Sequence, residues 1–99
     1  MMANSLRIDN LNDLQTFVYQ TLCEHEHLVH GAFQMTQRIL VRGNKPCGIY
    51  FCLHGPRSVK YTAIWETDRD TILFYGSTGQ RFHKMRLAEA PSLLLAESA

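Results

Sequence analysis

The densest run of metal-ligating side chains in this 99-residue chain is Cys23-Glu24-His25-Glu26-His27-Leu28-Val29-His30. On a helix advancing about 100° per residue, Cys23, His27 and His30 fall within about 60° of one another and away from the apolar stripe. Thiolate and imidazole are the ligands zinc prefers, and a fourth would come from His54, His83 or Cys52. The histidine spacing is not that of His-Glu-x-x-His. A plainer reading fits the same residues: histidines near a helix C-terminus complement its dipole, and His25 covers the boundary of the core. Cys23, His27 and His30 are therefore the candidate metal ligands, while neither a bound metal nor another cofactor is expected.

Two further clusters have chemical potential. Gly76-Ser77-Thr78-Gly79 followed by Gln80-Arg81-Phe82-His83-Lys84-Met85-Arg86 offers backbone amides and cations for a phosphate. It lacks the Gly-Lys-Ser/Thr ending of a Walker motif, and a hairpin turn leading into a solvated strand explains it as well. Cys52 and His54 share a strand face two residues apart, the minimum for a thiol nucleophile beside its base. No third group that would orient the histidine stands out in the sequence. Asp68 and Asp70 fall in a turn, where aspartate bonds its own backbone, and Glu24 and Glu26 point to different sides of a helix.

These side chains are positioned by elements that the hydrophobic pattern outlines. Residues 9–30 read as one helix, with Leu11, Leu14, Phe17, Val18, Leu22, His25 and Val29 at spacings of three and four. Asn10 is the natural N-cap, with Asp13 three positions on, and Gly31 the natural stop. Residues 33–87 read as an antiparallel sheet. Its first strand, Phe33 to Val41, carries Phe33, Met35, Ile39 and Val41 on one side and is expected at an edge. A loop over Arg42–Pro46 precedes Cys47 to His54, where Ile49, Phe51 and Leu53 alternate with Tyr50, Cys52 and His54. Gly55-Pro56-Arg57 interrupts, with Gly55 free to take positive φ. Ser58 to Glu66 then alternates Val59, Tyr61, Ala63 and Trp65 with Lys60, Thr62 and Ile64.

Pairing Leu53 with Val59 aligns Phe51 with Tyr61 and Ile49 with Ala63. A turn at Thr67–Asp70 brings Ile72 opposite Trp65 and Phe74 opposite Ala63. Gln80 to Leu87 returns as a last strand. Residues 1–8 are expected to be a flexible N-terminus and 88–99 a tail, with Pro91 able to start a short helix at Ser92 to Ala96. The fold class is thus α+β in one domain spanning residues 1–99: an N-terminal helix packed on an antiparallel meander of four or five strands.

Composition narrows the function. An apolar content of 45% supports a real core, and no apolar run approaches the roughly 20 residues of a membrane span. Residues 1–8 lack the apolar stretch of a secretory signal, and three cysteines form neither an even framework nor a Cys-x-x-Cys pair. A soluble, cytoplasmic protein is expected, with Cys47 as a small core residue and Cys52 on the open side. Net charge is only +1, against a generic polyanion binder, but it is unevenly spread. Arg7 faces four carboxylates in residues 1–30, whereas Arg38, Arg42, Lys45, Arg57 and Lys60 occupy residues 31–60 with none.

The sheet face turned from the helix carries Tyr50, His54, Lys60, Thr62, Ile64, Leu73 and Tyr75. It suits a non-enzymatic interaction module, with Tyr50, His54, Arg57, Lys60, Tyr75 and Arg81 as its binding residues. The expected partner is a protein or a second copy of the chain. Stacking tyrosines beside cations would also suit single-stranded nucleic acid.

Overall fold

The computed structural model describes residues 5–91, in which one helix lies against one face of a six-stranded sheet. The helix, α1 (Leu11–Glu26), begins where the Asn10 side chain accepts a hydrogen bond from the Asp13 N–H at 2.8 Å. The Asn10 Nδ2 donates in return to the Asp13 carboxylate at 3.1 Å, so the first turn is closed reciprocally.

The other end departs from expectation. The helix stops at Glu26 rather than residue 30, because His27 turns left-handed at φ 58° and ψ 39°. The Leu28 N–H then reaches back to the Cys23 carbonyl at 2.8 Å, satisfying an otherwise orphaned acceptor. Gly31, with φ 85°, lies in the segment that follows. Tyr19 ties that segment down: its hydroxyl accepts from the Gly31 N–H at 2.8 Å and donates to the Phe33 carbonyl at 2.7 Å. Val29, read as part of the apolar stripe, is consequently off the helix and 71% exposed.

The strands are β1 (Ser5–Arg7), β2 (Gln34–Arg42), β3 (Lys45–His54), β4 (Lys60–Glu66), β5 (Thr71–Tyr75) and β6 (Arg81–Glu89), in the spatial order β1-β6-β5-β4-β3-β2. From β2 to β6 they form an antiparallel meander, with β2 at an edge as its interrupted pattern predicts. The N-terminal stretch, expected to be flexible, contributes β1, which runs parallel to β6 at the opposite edge. Arg7 Nε helps to fasten it, lying 3.1 Å from Asp9 and 3.2 Å from Glu89. The C-terminal helix suggested for Ser92 to Ala96 lies outside the described residues.

Register is corrected in one hairpin and retained in the next. Leu53 pairs with Tyr61, Phe51 with Ala63 and Ile49 with Trp65, two residues from the expected alignment. The longer turn is the reason: Gly55 N–H bonds to the Val59 carbonyl at 2.8 Å around a 3-10 turn at Pro56–Ser58. Positive φ there belongs to Arg57 (57°) and Ser58 (63°), not to Gly55. Because the shift is an even number, every side chain keeps its face. Across β4 and β5, Trp65 meets Ile72 and Ala63 meets Phe74 as the pattern predicts.

The helix-side face therefore carries the rows Ile49–Trp65–Ile72 and Phe51–Ala63–Phe74, all fully buried or nearly so. They share one apolar cluster with Leu14, Val18 and Leu22 of α1 and with Ile8 and Leu87. Ala63, the smallest member, stands in register between Phe51 and Phe74. The Trp65 indole nitrogen is the buried side-chain donor without a partner among the described residues.

Two substitutions test these local constraints. His27→Gly relieves a left-handed residue that carries a Cβ, so the urea midpoint should rise by the equivalent of about 0.5–1 kcal/mol with unchanged slope. Gly48→Ala should lower stability by about 2 kcal/mol in the same measurement, since the added Cβ lands on the Trp65 carbonyl oxygen and the backbones must part.

Candidate functional site

Side chains opposite the helix form a second surface, whose layout follows from the register. One row crosses five strands as Arg38, Tyr50, Ile64, Leu73 and Lys84. At about 4.8 Å per strand, its Cα atoms span about 19 Å. The neighbouring row is Thr36, Cys52, Thr62, Tyr75 and Arg81, and Gln34, His54 and Lys60 lie beyond it. On the other side Glu66 and Thr71 lead to Arg86. The centre is apolar and half-buried, through Tyr50, Ile64, Leu73 and Tyr75. Its margins carry the exposed cations Arg38, Lys60, Arg81, Lys84 and Arg86, with Glu66 as the carboxylate within these rows among the described residues. None of these five cations forms an ion pair among the described residues.

Five of the six residues singled out in the sequence, Tyr50, His54, Lys60, Tyr75 and Arg81, project from this face. Arg57 does not: it sits in the β3–β4 turn, past the ends of the rows. Sequence reasoning passed over Arg38, Ile64, Leu73, Lys84 and Arg86 as binding residues. Alternation already assigned Ile64 and Leu73 to this side, whereas the row joining them to Arg38 and Lys84 requires the pairing of all five strands. Arg38 is drawn inward, its Cζ 5.4 Å from the centroid of the Tyr50 ring, a cation–π distance.

The same geometry redistributes the thiol and histidine candidates. Cys52 is 7% exposed, beneath its neighbours on the open face. His54 Nε2 lies 3.0 Å from Thr36 Oγ1, and no hydrogen bond joins it to Cys52 among the described residues. Cys23, His27 and His30 do not share a helix face, which corrects the premise of the zinc reading. Cys23 is fully buried in the core, His27 forms the helix cap, and His30 lies beyond it with its ring 6.1 Å from that of Tyr19. Among the described residues, no group of three His, Cys, Asp or Glu side chains is placed to hold a metal ion. His25 stacks on Phe82 at 3.5 Å between centroids, covering the edge of the core as its position in the stripe predicts.

The glycine-flanked turn uses its own amides. Gly76 N–H bonds to the Gln80 carbonyl and Gly79 N–H to the Gly76 carbonyl, each at 3.0 Å. Beside it lies a cleft of about 420 Å³ lined by His25, Glu26, Thr78, Arg81 and Phe82. The Glu26 carboxylate faces Gly76 there, so a phosphate would meet negative charge.

Burial pushes the Cys23 thiol above its ordinary pKa. The unfolded chain then loses this proton first, so stability should fall as pH rises through the ordinary thiol range. Cys23→Ala should flatten that slope in unfolding curves collected across it. Iodoacetamide at neutral pH should label native Cys47, which is half-buried, well before Cys23.

What the fold presents is an apolar centre framed by cations that form no ion pair among the described residues, on the side away from an acidic helix. Compared with protein-family models, curated proteins and solved structures, the chain matches none.

Proposed function

We propose that this chain is a non-enzymatic interaction module that binds an acidic, apolar-containing segment of a protein partner across the open face of its sheet. The observation that carries this reading is the row Arg38–Tyr50–Ile64–Leu73–Lys84, with aliphatic side chains in the middle and a cation at each end. Half-buried isoleucine and leucine offer a desolvated centre for apolar anchors, and flanking arginine and lysine select carboxylates beside those anchors.

Charge decides among partners. Two copies meeting open face to open face would bring Arg38, Lys60, Arg81, Lys84 and Arg86 against one another with few carboxylates beside them among the described residues, so a second copy is a poor occupant of this face. Single-stranded nucleic acid would want aromatic rings free at the centre. Here Ile64 and Leu73 hold the centre, and the Arg38 guanidinium already lies over Tyr50.

Selection of random peptides displayed against the immobilised chain should enrich Asp or Glu adjacent to Leu, Ile or Phe. The affinity of an enriched peptide should fall at least ~10-fold on Leu73→Lys, and salt should weaken the parent interaction. Enriched peptides indifferent to Leu73→Lys would refute the reading. So would a selection without consensus alongside retention of single-stranded oligonucleotides that weakens steeply with salt.

A further inference from the structure

The two edges of the sheet are unlike. One ends in the three-residue β1, while the other ends in β2, nine residues long and without a partner strand on its outer side among the described residues. Short edges protect themselves; a long regular edge is a template for another strand. The bulge beside β2 does not blunt it, because the extra residue is Cys47 of β3, between Pro46 and Gly48. β2 also carries two of the exposed large apolar side chains, Ile39 at 38% and Val41 at 59%.

We infer that β2 pairs antiparallel with β2 of a second copy, about a two-fold axis at Gln37, joining two six-stranded sheets into one. The register follows from side-chain complementarity. With Gln37 opposite Gln37, Ile39 faces Met35 of the other copy, and Val41 faces Phe33, which immediately precedes the strand. Each exposed apolar group thereby gains an apolar partner. On the open face, Arg38 faces Thr36 and Leu40 faces Gln34. An axis at Arg38 would set two guanidinium groups opposite each other, and an axis at Ile39 would leave Val41 against Gln37. Pairing residues of unlike parity would match one sheet face with the other. The inward lean of Arg38 over Tyr50 also draws its charge away from the joint.

This assembly is independent of the proposed peptide-binding role and leaves both open faces uncovered. Sedimentation equilibrium of the full chain should give twice its mass of 11.4 kDa, and Ile39→Lys should return the single-chain mass with an unchanged far-UV spectrum. In a Cys47→Ser background, Gln37→Cys should cross-link between copies on mild oxidation, since directly opposed residues on antiparallel strands lie within disulfide reach. Ile39→Cys should not, and this pair of variants decides the register even if the lysine variant misfolds. A parent chain that stays monomeric up to about millimolar concentration overturns the inference. So does preferential cross-linking through Ile39→Cys, or a dimer abolished by Leu73→Lys but indifferent to Ile39→Lys.

Discussion

Trp65 is the side chain around which the molecule closes. It lies between Ile49 and Ile72 in register, fully buried, in the same apolar cluster as Leu14, Val18 and Leu22 of α1. Removing so large a group from water contributes on the order of 3 kcal/mol or more, but only while both neighbouring strands hold their alignment. Ala63, two residues earlier, stands in register between Phe51 and Phe74 in the same buried face. The cost is an indole N–H with no acceptor among the described residues, which the surrounding contacts must outweigh.

Fixing one face fixes the other. Once Trp65, Ala63 and Tyr61 point to the helix, strand pleating compels Ile64 and Thr62 to point away, and pairing draws Tyr50, Leu73 and Tyr75 beside them. The open face is thus a by-product of the core's register as much as a surface in its own right. What distinguishes it is charge. The carboxylates of α1 lie on one side of the sheet and five cations project from the other, giving the molecule two faces of opposite character.

The helix end shows where one-dimensional reasoning fails. A stripe running through His25 to Val29 and a glycine at position 31 suggest a helix reaching residue 30. Tyr19 instead holds Gly31 and Phe33, and His27 accepts the left-handed conformation usually left to glycine or asparagine. Cys23, inside α1, is buried in the core, while His27 and His30 leave the helix axis once the helix is shortened. A cluster that looked like a metal site in sequence is dispersed by one backbone reversal.

The sequence by itself determined the α+β class, the N-cap at Asn10, the meander, the edge position of β2, the Trp65–Ile72 pairing and the division of side chains between faces. These depend on local alternation, turn composition and a period that tolerates a shift by two residues. Only the tertiary structure decided the true β3–β4 register, the early helix end, the burial of Cys23, the recruitment of Ser5–Arg7 to β6 and the row linking Arg38 to Lys84. Each of these rests on contacts between residues far apart in the chain: a tyrosine hydroxyl reaching across a connection, a parallel pairing of the first strand with the last, a file of side chains crossing five strands. No window of neighbouring residues contains the energy that selects them.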